Sequence, residues 1–379
     1  MINSAFGLIY TGENNPRMRD LTMSRAVAAL PFGGRYRCVD FILSDLVHSG
    51  VSSVGLIAQK NYHSLMDHLG AGKEWDLHRK REGLFILPPF LTRDNVGSYS
   101  GILDALRSNL GYLRRSNQEY IIITGGHTAL STTFDDLMAF HMDSGADISL
   151  MYARKAPGEV DESVTLTPRH VYLSVDGDGL VTDLEIGPTQ PKEPNFYMDI
   201  MLLRRDLLLR LIDEAFSQGT VDINREILQR NVHNGPLRIC ALEYKGYNRR
   251  VETINSYYAL NMDMLNRDCR RELFGKYPVY TKVHDEVPVR YVPGGSAHNS
   301  LVADGCVIEG TVENSILFRG VHIGKDVHVR DSIIMQGDVI QSGVEIEHVI
   351  LDKHVTVLSG NRLIAPRLYP IVVGKNKTV

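Results

Sequence analysis

Between Asn299 and Ser359 apolar residues return at steps of five or six, separated by Gly, Asp and Asn. Val321, Val327, Ile333 and Val339 keep a spacing of six, Ile323 and Val329 form a parallel series, and Val349 with Val355 resumes it. An α-helix repeats every 3.6 residues and a strand every two, so neither accounts for this count. A left-handed parallel β-helix does. Each short face turns a corner on a small or polar residue and stacks its apolar side chain on the coil below. The competing reading is an antiparallel β domain with irregular loops; the Ile323-Gly324 pair and the sustained register argue against it.

Upstream the pattern is different. Apolar runs fit for strands, at Ala5 to Tyr10, Val54 to Ala58, Tyr120 to Ile123 and Ala146 to Tyr152, alternate with helical spacing. The helices fall around Phe41 to Val47, at Gly101 to Leu113 and at Asp135 to His141. Strand, helix and strand in succession predict an α/β layer with a mostly parallel, Rossmann-like sheet covered by helices. From 155 to 200, turns such as Asp176-Gly177-Asp178-Gly179 predict hairpins, followed by helices at Asp206 to Phe216 and Glu252 to Asn266. The expected organisation is an α/β domain over 1–275, a linker over 276–298 and the β-helix over 299–379.

A chain of 379 residues with 43% hydrophobic content is long enough for two sizeable cores. Its 41 basic and 45 acidic residues are spread without a polybasic tail, which argues against nucleic acid as a partner. Cys38, Cys240, Cys269 and Cys306 show no Cys-x-x-Cys spacing, consistent with a reduced protein. Met1-Ile2-Asn3-Ser4 opens onto an apolar strand, and no apolar run approaches the roughly 18 residues of a membrane span. A cytoplasmic location, away from membrane, is expected.

The stretch Leu21 to Arg37, Leu-Thr-Met-Ser-Arg-Ala-Val-Ala-Ala-Leu-Pro-Phe-Gly-Gly-Arg-Tyr-Arg, carries a resemblance that Asp45, Ser49-Gly50, Gln59, Ser64-Leu65, Ile86-Leu87-Pro88, Asn109-Leu110 and Asn261 to Leu265 extend. With the six-residue repeat behind it, the chain resembles the ADP-glucose pyrophosphorylase (glucose-1-phosphate adenylyltransferase) family, most closely its divergent, non-catalytic companion subunits. The resemblance implies a nucleotidyltransferase-like mixed-sheet domain followed by the β-helix, and a tetrameric assembly. It also implies that Mg²⁺ is held by two aspartates against the transferring phosphates.

The departures fall on those positions. The family's phosphate-cradling Gly-Gly-x-Gly loop reads Gly12-Glu13-Asn14-Asn15-Pro16-Arg17, in which Pro16 has no N–H to offer. Its phosphate-contacting lysine is Val27, its Gly-Asp-His is Gly125-Gly126-His127, and its sugar-phosphate lysine is Gly187. The second metal aspartate is Arg250, while Asp199 replaces a glycine beside the sugar site. Asp199 reads most simply as a surface or turn aspartate. Arg250 is either a solvated arginine or a substitute cation that pairs with remaining carboxylates or a phosphate. No catalytic residue, metal site or cofactor is expected; Mg²⁺ enters only if the chain is an active adenylyltransferase.

Arg17, Arg19, Arg25, Arg35 and Arg37 put five guanidinium groups around Gly33-Gly34. Planar bidentate donors suit an anion, so Arg17, Arg25, Arg35 and Arg37 are candidate anion or activator ligands. By the resemblance, Arg35 stands where the family has a lysine that contacts a sugar-phosphate activator. His63, His68, His78, His127 and His141 lack metal-ligand spacing. The function these features imply is a regulatory subunit that pairs with a catalytic ADP-glucose pyrophosphorylase in a hetero-oligomer, with a homo-oligomer also possible. An active adenylyltransferase is the alternative. An acyltransferase, for which such repeats also occur, is disfavoured by the long α/β domain.

Overall fold

The computed structural model describes residue 2 and residues 4–11, 16–89, 99–155, 170–217 and 222–379. The amino-terminal part is built on a nine-stranded mixed sheet. Ala5–Tyr10 lies inside it, flanked in parallel by Ser53–Ile57 and Tyr120–Gly125. Side chains alternate along these strands, yet both faces are apolar, because each looks into its own core. Phe6, Leu8, Ile121 and Ile123 enter one cluster; Ala5, Ile9, Tyr120 and Ile122 enter the other.

The helix expected over Gly101 to Leu113 is two helices, Ile102–Ser108 and Leu110–Arg115. Asn109 breaks it: its side-chain amide donates to the Ala105 carbonyl at 2.8 Å while its own backbone leaves the helical region at φ −108° and ψ 18°. Asparagine offers this local alternative to the helical ladder. The hairpin Val171–Val175 with Val181–Ile186 turns where Asp176 Oδ1 accepts from the N–H groups of Asp178 and Leu180.

The antiparallel strand Asn195–Arg204 pairs with both Tyr120–Gly125 and Ile148–Arg154, and its register jumps between Tyr197 and Ile200. Asp199 sits in that bulge at φ 57°. Bulges interrupt the in-out alternation of a strand and re-aim a side chain, here toward the end of the sheet where a second small sheet forms.

The carboxy-terminal part is a left-handed parallel β-helix of three five-stranded parallel sheets. Ser332 N donates to Ser315 Oγ, and Val349 N to Ser332 Oγ, each across 17 residues, the length of the central coil. Two sides of the coil advance by six residues and the third, from His328 to Ile333, by five. The short side closes at a corner where Asn314, Asp331 and His348 hold φ values of 46°, 47° and 53°. This corrects the unbroken count of six through Val339. Val321, Val327 and Ile333 are buried, but Val339 is 37% exposed and Ile340 occupies the core position.

One face of the coil is buried on both sides. Leu317, Ile334 and Leu351 fill its interior, whereas Ile316, Ile333 and Ile350 join Met18, Leu30, Phe41 and Tyr257 in a core shared with the α/β part. Arg25 crosses this junction. Its Nη2 reaches both carboxylate oxygens of Asp352, at 2.8 and 2.9 Å, with both side chains buried. Among the described residues no helix is long and apolar enough to cross a membrane.

Candidate functional site

Arg249–Arg250 pairs antiparallel with Thr128–Ala129, and Val251 N donates to the His127 carbonyl at 2.9 Å. This small sheet brings Arg250 beside the Gly126-His127 segment. Arg250 does not face solvent there. Its Nη2 lies 2.6 Å from Asp199 Oδ2, and its Nε lies 2.8 Å from both Glu252 Oε1 and His127 Nε2. Its guanidinium also lies 5.6 Å from the centre of the Phe196 ring. The second Glu252 oxygen is 2.6 Å from His170 Nε2. Burial pushes the Glu252 carboxyl up, but the charge of Arg250 and the bond from His170 outweigh it and hold the group at about 2. One guanidinium thus binds two carboxylates.

The backbone at Gly126 is tightly surrounded. A Cβ on Gly126 would lie 3.0 Å from Ala28 Cβ, 3.1 Å from Thr11 Cγ2 and 3.3 Å from Ile9 Cγ2, so even alanine is crowded. Val27 is buried in the shared core with Leu30 and Met18. Gly187 holds φ 63°, a left-handed conformation that disfavours a lysine, and its N–H donates to the His170 carbonyl. Pro16 opens the 3₁₀ turn Pro16–Thr22. Asn15, with Glu13 and Asn14, lies outside the described residues.

A second cluster lies between the two parts of the chain. A cleft of about 170 Å³ is lined by Arg35, Arg37, Lys282, His284, Arg319 and Lys353, with Asp67 and His68 on its wall. The Gly33-Gly34 turn forms one lip. Gly34 has φ 86°, a left-handed conformation that favours glycine, and lies against Leu317 and Ala303 of the coil. Arg319, Gln336 and Lys353 come from successive turns at one corner of the β-helix. Lys282 Nζ donates to the Asp67 carbonyl at 2.6 Å. Burial, with repulsion from Arg37 and Arg25, pulls the Lys353 ammonium down to about 7. Burial also lowers Arg319 and brings Arg37 to about 10.

Residues 6–266 match the nucleotidyl transferase family, and residues 287–363 match the GlmU-like C-terminal hexapeptide family. The chain is 33% identical over 377 residues to the glycogen biosynthesis protein GlgD of Bacillus subtilis, covering 98% of this chain and 96% of that protein. It is 36% identical to GlgD of Geobacillus stearothermophilus over 86% of this chain and 82% of that one. The glucose-1-phosphate adenylyltransferase of Thermomicrobium roseum is 34% identical over 92% of this chain and 81% of its own length. The chain belongs to the nucleotidyl transferase family, in its ADP-glucose pyrophosphorylase and GlgD group.

Within this family frame the candidate arginines separate. Arg35 and Arg37 line the interdomain cleft, though Arg37 Nη1 also donates to the carbonyls of Ala29 and Ser64. Arg25 is engaged with Asp352, and Arg17, in the Pro16–Thr22 turn, is not part of the cleft lining. Asp199 is an ion-pair partner of Arg250, not simply an exposed turn residue. Sequence reading missed Glu252 and His170 beside Arg250 and Lys282, Arg319 and Lys353 in the cleft. A signal for the last two existed: Arg319 and Lys353 each follow an Ile-Leu pair of the repeat by two residues.

Proposed function

We propose that the chain is a non-catalytic regulatory subunit of glycogen biosynthesis, which assembles with a catalytic glucose-1-phosphate adenylyltransferase and changes its rate or its response to metabolites. The observation that carries this reading is Arg250 at a metal-aspartate position, ion-paired to Asp199 and Glu252. Removing one preorganised electrostatic contact costs an enzyme about 10²- to 10³-fold in rate. Here Gly126, Arg250, Val27 and Gly187 all depart from the family's phosphate and metal ligands. The GlgD relatives support a role in glycogen biosynthesis, and the adenylyltransferase relatives support the identity of the partner.

The effector assigned to the interdomain cleft is a sugar phosphate, held by Arg35 and Arg37 with Lys282, Arg319 and Lys353. Several cations in a partly desolvated pocket suit a phosphate dianion, and the bidentate fork of arginine suits its oxygens. Such a ligand would join the turn of one domain to the corner of the other.

Mixing the chain with the catalytic subunit of the same cell tests the reading. Light scattering is expected to show a mixed tetramer whose maximal rate or apparent substrate affinity differs from that of the catalytic subunit alone. Separate elution with unchanged kinetics would overturn it. So would pyrophosphate release by the isolated chain at about 1–100 per second, the ordinary enzyme range, which would support the adenylyltransferase alternative.

A further inference from the structure

Asp331, Glu347 and His348 bring three potential ligand atoms within 4.8 Å of one another on the β-helix. Two successive coils supply them. Asp331 and His348 occupy the same left-handed corner in adjacent turns, at φ 47° and 53°, and Glu347 precedes that corner. Parallel strands stack about 4.8 Å apart, so corner side chains of neighbouring coils fall within reach of one another.

Tyr258, on the α-helix Ile254–Asp263, sets the chemistry of His348. The phenol donates its single proton to the Asp331 carbonyl at 2.6 Å and lies 3.1 Å from His348 Nδ1. The phenol oxygen therefore accepts from Nδ1–H, and the neutral imidazole keeps its lone pair on Nε2. That nitrogen lies 3.7 Å from Glu347 Oε1, too far for a hydrogen bond. A cation with bonds of about 2.1 Å to each fits between two donors at this separation in a tetrahedral arrangement. Arg330 faces the group from the side. Its Nη2 holds the other Glu347 oxygen at 2.7 Å, and its Nε lies 3.9 Å from Asp331 Oδ2. It fixes Glu347 and offsets one of the two carboxylate charges, leaving a net negative group. The Asp331, Glu347 and His348 side chains are only partly buried, so water can complete the coordination.

We propose that Asp331, Glu347 and His348 bind one divalent transition cation of the Zn²⁺ class, with Tyr258 orienting the imidazole, so that the ion ties two coils of the β-helix together beside the α/β domain. One imidazole nitrogen and two carboxylates suit Zn²⁺, Co²⁺ or Ni²⁺; Mg²⁺ prefers six oxygen donors and keeps its waters. The site is separate from the Arg250 position, and its expected effect is on stability.

The full chain, stripped with chelator and titrated with ZnCl₂ by calorimetry, is expected to bind one ion and to melt at a higher temperature once loaded. Glu347→Gln and His348→Asn should each remove that binding event. Asparagine is chosen because Asn314 already holds the equivalent corner. Tyr258→Phe keeps all three ligands but removes the acceptor for Nδ1–H, and should weaken the ion about 10- to 100-fold. Cobalt loaded into the wild-type site should give visible bands that Glu347→Gln abolishes. No uptake by the wild-type chain, unchanged affinity and stoichiometry in Glu347→Gln, or equal preference for MgCl₂ would each overturn the proposal. Should His348→Asn fail to fold by circular dichroism, the Glu347→Gln titration decides alone.

Discussion

Among the described residues, the cations at Arg250 and in the interdomain cleft are neutralised differently. At Arg250 a single guanidinium meets Asp199 and Glu252 at 2.6 and 2.8 Å, so the charges close within the protein. In the interdomain cleft Arg35, Arg319 and Lys353 make no ion pair among the described residues, while burial, with repulsion from Arg37 and Arg25, lowers Lys353 to about 7. A site that satisfies its own charges has little left for a ligand; one that holds unneutralised cations together gains when an anion enters.

The largest expected effect tests the closed cleft. ADP-glucose formation from ATP, glucose 1-phosphate and Mg²⁺ should fall at least about 10⁴-fold below an ordinary catalytic subunit, the consequence of two or more lost contacts. The double variant Gly126→Asp with Arg250→Asp should not restore it, since Val27 and Gly187 remain and Ala28, Thr11 and Ile9 crowd position 126. Measurable turnover in that variant would show that the cleft is blocked by Arg250 alone.

Arg25 spans the junction of the α/β part with the β-helix, and its replacement should come next in size. Arg25→Ala leaves the Asp352 carboxylate buried without its partner, which costs about 3–5 kcal/mol. Urea unfolding of the isolated chain measures it, and a loss below 1 kcal/mol would mean that water enters the junction. The Arg250 ion pairs give a pH signature instead. Glu252 stands at about 2 in the folded chain, below the roughly 4.3 of an unfolded glutamate. Its stabilising contribution is therefore complete above about pH 5 and lost as pH falls from there toward 2. Arg250→Met should remove that contribution and raise the midpoint of acid unfolding.

The open cleft is tested by binding. Lys282→Ala, Arg319→Ala and Arg35→Ala should each weaken a hexose bisphosphate by about 10-fold or more, the value of one charged hydrogen bond, while leaving the mixed assembly intact. Lys353 adds a direction. Its folded value of about 7 lies below the roughly 10.4 of an unfolded lysine, so the unfolded chain binds more protons between those values. Its contribution to stability therefore rises with pH across that window, while its charge, and with it anion affinity, declines from pH 6 to 8. Lys353→Met should stabilise the chain at pH 6 and flatten the pH dependence of binding. Affinity independent of pH would place the anion away from Lys353.

The two clefts were unequally legible in the sequence. The β-helix showed through because stacking demands the same residue class at each turn, although the true coil of 17 residues put Ile340, not Val339, in the core. Gly126 and Arg250 were visible because the family resemblance implies a carboxylate at each, within a short motif. Their surroundings were not: Asp199 and His127 reach Arg250 from other elements, His170 reaches Glu252 across 82 residues, and no local pattern joins them. The arginines from 17 to 37 looked like one cluster because they are close in sequence, yet the strand Tyr36–Arg37 and the Pro16–Thr22 turn send them to different places. Arg25 meets Asp352 more than 300 residues away, a pairing set by domain docking. Lys282, Arg319 and Lys353 belong to the same long-range arrangement.

The smallest expected effect asks whether the closed cleft is locked by packing as well as by charge. Gly126 has no left-handed φ, so alanine there tests space without backbone strain. Its Cβ would meet Ala28, Thr11 and Ile9 at 3.0 to 3.3 Å, and all three sit in the buried interior. Ala28 and Ile9 share a core, so neither can swing into solvent, and Gly126→Ala should cost about 1–2 kcal/mol, the lower end of overpacking. Gly177→Ala, where nothing lies within 4 Å of the added carbon, is the control and should change stability little. A Gly126→Ala chain as stable as its parent would show slack around this position. The missing carboxylate would then be a reversible loss, and the contrast between the clefts would rest on Arg250 alone.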